Sequence, residues 1–263
     1  PHASKENCTL DNDGNIKISS AHSIQRGKIL KKISENNNVR QFRIYENERN
    51  LDKSIKKAST FWGFCDKHDK IFNPIEIDNF RCTPEQLFLF AYRAFVNTAH
   101  IKLKFYEYND FGEQAKNDQL NNKKIFDQAI LEKMYSIITT DILILDHEYP
   151  IAVSSASDLD YDYCGKLIPH SETRLEQFYI SIFPENNKTY ILFSYLKEDA
   201  NLYSNIMNQI KNSSQIESML SVLIAGHCEN VFFKPSYYEV YIRNQEESIS
   251  KLVQQTQTDF EIF

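Results

Sequence analysis

The stretch that most restricts the fold is the apolar run that begins at residue 83. Thr83-Pro84-Glu85-Gln86 combines an N-capping hydroxyl, a proline at the first helical position and a capping-box side chain three residues later. A helix on a protein surface is apolar on one side only, whereas this run is apolar almost throughout. We therefore expect a buried central helix from residue 84 to about 105, with apolar residues Leu87, Phe88, Phe90, Ala91, Phe95, Val96 and Ala99.

Further along, helical and strand patterns alternate. A second long helix is predicted over about 117–138. Two strand pairs follow, at 141–145 with 149–153 and at 178–183 with 189–194, and residues 184–188 are predicted to close the second pair as a hairpin. The remaining predictions are a helix at about 199–211, a helix at about 214–227 capped by Ser213 or Ser214 with Glu217, a strand at 231–233 and a helix over 236–254.

This order predicts the α+β class, with an antiparallel sheet and flanking helices that are segregated in sequence. The first 78 residues are richer in turns and short strand patterns than the rest. We therefore expect two domains: a small zinc module at 1–78 and an α+β body of unknown function at 79–263.

A Cys and a His separated by two residues, Cys65 and His68, follow an aromatic, strand-like run. Sulfur and imidazole nitrogen at this spacing can bind one ion. The turn sequence Asp11-Asn12-Asp13-Gly14-Asn15 predicts a hairpin that has Cys8 on its first arm and His22 just beyond its second. Cys8, Cys65 and His68 are thus predicted zinc ligands, with His22 a candidate for the fourth. The alternative is buried cysteines with surface histidines.

Two short motifs carry a resemblance. Ala21-His22-Ser23-Ile24, followed by Gly63-Phe64-Cys65-Asp66-Lys67-His68-Asp69-Lys70-Ile71-Phe72, resembles the HNH-type treble-clef (ββα-metal) superfamily. It is also similar to uncharacterised bacterial proteins with the motifs AHSIQ and GFCxxHDxxIFxPIE. The resemblance covers residues 8–78, under a third of the chain.

For function, the resemblance implies a zinc-binding protein that contacts nucleic acid, or an endonuclease that hydrolyses phosphodiester bonds. His22 would be the general base, and Asp69 or His68 would help to hold a second, catalytic divalent cation. Two departures from the pattern matter: the middle Asn is absent, and Asp11 or Asp13 stands where a second knuckle Cys is expected. Under these departures, the alternative is that His22 enters the zinc shell and is not a base.

Charge is distributed unevenly along the chain, whose net charge is −6. Residues 1–70 carry 14 Lys or Arg and 9 Asp or Glu, whereas the remainder carries 16 and 27. A local basic patch can attract phosphate even on an acidic chain. The predicted nucleic-acid contacts are Arg26, Lys28, Lys31 and Lys32. The alternative is that these side chains are simply solvated.

A non-catalytic function is the second hypothesis: a structural zinc site, with the acidic body binding a protein partner or a small ligand. No apolar run is long enough to span a membrane, and no secretory signal pattern is visible. The five cysteines have irregular spacings, unlike a disulfide framework. We therefore expect a cytoplasmic location and no membrane partner.

Overall fold

The computed structural model describes residues 5–42, 52–108, 113–171 and 174–251, without the side chains of residues 106–108. The strands are β1 Ile18–His22, β2 Asn38–Phe42, β3 Asp52–Ser54, β4 Thr60–Cys65, β5 Ile138–Leu145, β6 Ile151–Ser157, β7 Phe178–Glu185, β8 Lys188–Leu196 and β9 Val231–Phe233. The helices are α1 Asp66–Asp69, α2 Asn73–Glu76, α3 Pro84–Tyr108, α4 Glu113–Glu132, α5 Ala200–Lys211, α6 Ile216–His227 and α7 Pro235–Tyr237, which continues through helical turns to residue 251.

A seven-stranded antiparallel sheet, in the order β3-β2-β9-β6-β7-β8-β5, forms the centre of the protein. Side chains alternate between its faces. On β7, Tyr179 and Phe183 join the cluster that contains α3 and α4, whereas Ile180 and Ile182 join the cluster that contains α5 and α6. Helices cover both faces of the sheet, so its strands carry apolar side chains on both faces. Together these elements confirm the predicted α+β class.

Helix α3 lies between the sheet and the N-terminal strands. Its buried residues share one cluster with Phe61 and Phe64 of β4 and with Tyr179 of β7. The predicted central helix is thus confirmed, and it is apolar on most sides because both of its neighbours are protein. The capping interaction is also present: the Gln86 backbone N–H donates to Thr83 Oγ1 over 3.2 Å.

Three local predictions differ from the structure. The loop between β7 and β8 has two residues, Asn186 and Asn187, at φ 52° and 61°, because paired left-handed residues match the twist of a tight hairpin. Helix α6 has Gln215 at its N-cap, without a side-chain cap. Strands β5 and β6 do not pair with each other, since β7 and β8 lie between them.

The first 78 residues contribute to two sheets. Strands β1 and β4 form a separate two-stranded antiparallel sheet. Strands β2 and β3, in contrast, extend the large sheet, where Arg40 of β2 faces Phe233 of β9. The predicted boundary at residue 78 therefore does not coincide with a break in the sheet or in the core. Within the described residues, no helix has the length and apolar character needed to cross a bilayer.

Candidate functional site

The two strands β1 and β4 position the predicted metal ligands. Cys65 ends β4, and His68 lies in α1, which begins directly after it. Cys8 precedes a tight turn in which Asp11 Oδ1 accepts the backbone N–H groups of residues 13 and 15. Gly14 has φ +75°, a conformation that favours glycine. The predicted turn therefore returns the chain to β1 with Cys8 beside Cys65 and His68.

The three ligand atoms have spacings that suit one ion. His68 Nδ1 lies 3.2 Å from Cys65 Sγ and 3.5 Å from Cys8 Sγ, and all three atoms lie within 4.8 Å of one another. Tetrahedral zinc, with bonds of about 2.3 Å to sulfur and about 2.1 Å to nitrogen, separates such ligands by about 3.5 Å. Cys8, Cys65 and His68 are thus brought together in the geometry of a metal site.

Cys65 is the most buried of the three residues, at 2% exposure. Burial alone would raise its pKa. Backbone N–H groups of Thr9, His68 and Lys67, together with the His68 side chain, stabilise the thiolate and lower the pKa to about 6. Because a metal binds the thiolate and not the thiol, this environment favours metal binding at neutral pH.

The structure does not place His22 in this group. In the β1–β4 pair, Cys65 faces Ile18, whereas His22 faces Thr60 at the opposite end. Four residues along a strand correspond to about 13 Å. Among the described residues, the group consists of Cys8, Cys65 and His68. The geometry therefore does not support His22 as the fourth ligand, because the strand register holds His22 too far from Cys65.

His22 instead bonds to the backbone. Its Nε2 lies 3.2 Å from the Ile55 carbonyl oxygen. A carbonyl only accepts hydrogen bonds, so Nε2 carries the proton and the neutral ring has its lone pair on Nδ1. Burial lowers the pKa of His22; Arg26 and Arg93 lower it as well, whereas the Ile55 hydrogen bond and Glu76 raise it. The imidazole is thus neutral, and basic at Nδ1, near pH 7.

Asp69 and Arg93 belong to the same electrostatic environment. Burial raises the pKa of Asp69, and the nearby Arg93 lowers it. Asp69 Oδ1 is buried and makes no hydrogen bond. The Arg93 side chain, 2% exposed, forms an ion pair with Glu76 and lies 4.5 Å above the Phe72 ring. This group combines one buried carboxylate oxygen with a buried cation.

Arg93 and Glu76 are not among the site residues predicted from the sequence. Arg93 interrupts the apolar run of α3, and a charged residue in such a run requires a partner when buried. That interruption was the available signal. Glu76 offered none, because only the fold brings α2 against α3.

The four predicted nucleic-acid contacts differ in their surroundings. Lys28 Nζ donates to the Ile77 and Asp78 carbonyls over 2.7 and 2.8 Å, and Lys31 Nζ donates to Asn37 over 2.8 Å. Lys32 forms a 2.8 Å ion pair with Glu148. Arg26 is exposed and acts electrostatically on His22. Three of the four side chains are therefore already held by contacts within the chain.

Comparisons with known proteins found no matching family model, no similar curated protein and no similar solved structure. Function must therefore be argued from the geometry of these residues.

Proposed function

We propose that the protein is a metal-dependent phosphodiesterase that acts on nucleic acid. The observation that carries this proposal is the position of His22, which lies outside the Cys8, Cys65 and His68 group and bonds through Nε2 to the Ile55 carbonyl. A histidine in this state can accept a proton at Nδ1 near neutral pH. General-base catalysis requires a group of that kind.

Zinc is the ion that best fits the Cys8, Cys65 and His68 group. Two thiolates and one imidazole are borderline-soft ligands, and zinc takes them in tetrahedral sites. Zinc has four ligands in such sites, so the fourth would be a water or a residue beyond the described group. The ion would stabilise the β1–β4 pair by joining the loop at Cys8 to α1.

Asp69 is the residue that would hold a second divalent cation. Its buried Oδ1 has no hydrogen bond, and Mg²⁺ prefers carboxylate oxygen. A divalent cation held by Asp69 would supply positive charge beside the phosphate in the transition state.

His22 performs the proton transfer. Nδ1 takes a proton from water, and the water oxygen forms a bond to phosphorus while the bond from phosphorus to the leaving oxygen breaks. The leaving oxygen then takes a proton from solvent. Arg26, exposed and close enough to influence His22, supplies a positive charge for a neighbouring phosphate.

The test is an assay of the zinc-loaded chain on single-stranded DNA, duplex DNA and RNA, with and without Mg²⁺ or Mn²⁺. We expect cleavage that requires the added cation and that His22→Gln abolishes without loss of zinc. Absence of cleavage on all three substrates with either cation would overturn the proposal.

A second candidate is a non-catalytic metal-binding protein. The observation in its favour is that Lys28, Lys31 and Lys32 are already held by contacts within the chain. A cavity of about 390 Å³ beside the metal ligands, lined by Trp62, His100 and residues of α3 and α4, offers a site for a small ligand. Under this alternative, His22→Gln would leave every binding property unchanged.

A further inference from the structure

A buried polar network joins the N-terminal strands to the far end of the chain. Asn230, in the loop between α6 and β9, has Nδ2 at 2.8 Å from Ser23 Oγ, 3.0 Å from Ser59 Oγ and 3.0 Å from the Ser154 carbonyl oxygen, so its two N–H groups are shared among three acceptors. All four residues are buried, with exposures between 3% and 7%. Loss of any one of these partners would leave a buried polar group without a hydrogen bond, which lowers the stability of the folded chain.

The network holds the backbone next to His22 in β1 and the backbone opposite it in β4. Ser23 follows His22 directly, and its N–H donates to the Ser59 carbonyl over 2.8 Å. Ser59 precedes Thr60, the residue that faces His22 across the strand pair. Ser59 has φ +58°, which is uncommon for serine and which the surrounding hydrogen bonds maintain.

The hydroxyl groups have one arrangement that satisfies every donor. Ser59 Oγ accepts the Ile24 N–H over 3.0 Å and lies 2.5 Å from Ser23 Oγ. If Ser59 donates to Ser23 Oγ, then Ser23 is free to donate to the Ser59 carbonyl at 3.3 Å. Asn230 supplies the remaining donor to Ser23 and anchors the pair to the Ser154 carbonyl of β6.

Ile55, whose carbonyl accepts a hydrogen bond from His22, is connected to Ser59 through a short turn. It lies four residues before Ser59 in the turn that leads into β4, and its own N–H donates to Asn37. Movement of Ser59 would therefore move both the strand partner and the hydrogen-bond acceptor of His22.

We propose that Asn230 is a positioning residue for His22: its side-chain amide, anchored on the large sheet, fixes Ser23 and Ser59 so that the imidazole keeps its bond to the Ile55 carbonyl and presents Nδ1. This inference rests on the proposed function for its catalytic consequence, but its structural consequence is measurable without activity. It makes the large sheet part of the candidate active site.

The test compares Asn230→Asp with Asn122→Asp in the zinc-loaded full chain. Asp keeps the shape of Asn but removes the N–H donors. Asn122, on α4, is the matched control because it is also buried and donates to a carbonyl, that of Leu175, over 2.7 Å. None of the charged groups that act on His22 lies on α4.

The primary readout is the imidazole of His22 in long-range ¹H–¹⁵N spectra, assigned by its loss in His22→Gln. We expect the tautomer with the proton on Nε2 in the wild type and in Asn122→Asp, and a mixture of tautomers in Asn230→Asp. We expect the rate of cleavage per folded molecule to fall about 10- to 100-fold in Asn230→Asp, as for a displaced catalytic group, and less than about 2-fold in the control.

Ser23→Ala provides a second variant if Asn230→Asp does not fold, because it removes one acceptor and leaves the bonds of Asn230 to Ser59 and Ser154. Identical His22 signals in the wild type and in the folded variant would overturn the inference. A wild type that shows the Nε2–H tautomer but cuts no nucleic acid would overturn the proposed function alone, and the spectra would still decide the role of Asn230.

Discussion

The two ends of the β1–β4 pair are held together by different physical means. At one end, Cys8, Cys65 and His68 bring three ligand atoms within 4.8 Å of one another. At the other end, Ser23 and Ser59 bond directly to each other and to Asn230. The first end suits an ion, whereas the second is complete with protein hydrogen bonds that lead to the large sheet.

This contrast indicates that the two ends of the β1–β4 pair have different roles. Under the proposed zinc binding, the ion would hold the loop at Cys8 against α1, a four-residue helix that has no buried residue of its own. The hydrogen-bonded end lies beside His22 and includes Asn230, which is more than 170 positions from Ser59 in sequence. Metal removal and changes in the network should therefore affect opposite ends of the strand pair.

The largest effect is expected for Cys65→Ser. Binding of structural zinc contributes roughly 10 to 16 kcal/mol in zinc-finger peptides with all ligands present, and this variant removes one of the three described ligands. We expect zinc content to fall to near zero and hydrogen exchange to accelerate in residues 8–20 and 65–69, while Asn230 and its partners stay protected. Cys82→Ser, an exposed cysteine outside the group, is the control. Retention of zinc in Cys65→Ser would contradict the assignment.

The next largest effect is expected for His22→Gln. Loss of a general base slows a reaction about 10²- to 10⁴-fold. Burial lowers the pKa of His22, so in the wild type cleavage should persist below pH 6.5 and fall only as the imidazole gains its proton. Zinc content should not change. His147→Gln, an exposed histidine, is the control, and equal losses in both variants would remove His22 from the mechanism.

The same pKa has a consequence for stability. The unfolded chain binds a proton on His22 at higher pH than the folded chain does, so the free energy of unfolding rises with pH across that interval. This contribution is present above the ordinary pKa and is lost as the pH falls through the lowered folded value. Urea titrations of the wild type and His22→Gln should diverge below pH 6.5, and parallel curves would contradict the assigned burial effect.

Asp69→Asn is expected to separate stability from activity. Burial raises the pKa of Asp69, which means that its charge is unfavourable in the folded state at neutral pH. Without added divalent cation, the variant should therefore resist urea better than the wild type at pH 7, while its Mg²⁺-dependent cleavage is lost. Asp66→Asn, exposed on the same helix, is the control. Full cleavage by Asp69→Asn would exclude a role in holding the cation.

The smallest effect is expected for Arg26→Ala. Loss of one phosphate contact should weaken nucleic-acid binding modestly and reduce the salt dependence of binding by about one unit of log–log slope. Lys31→Ala, whose amino group already bonds to Asn37, should change that slope less. Equal salt-dependence slopes for the two variants would mean that contacts within the chain do not decide which Lys or Arg side chains bind phosphate.

The sequence by itself determined the features that depend on neighbouring residues. The capped helix at residue 84, the Asp11–Asn15 turn and the grouping of Cys8 with Cys65 and His68 follow from capping, turn chemistry and ligand spacing. Each is a short-range property except the approach of Cys8, which the turn and the β1–β4 pair achieve together. The class α+β followed from the order of such elements.

Only the tertiary structure decided which residues share an environment. The strand register placed His22 at the far end from Cys65, and the sheet order brought Asn230 to Ser23 and Ser59. Arg93 forms an ion pair with Glu76 because α3 packs against α2. No local sequence pattern predicts these contacts, because each arises when elements that are distant in the chain bury their apolar faces against one another.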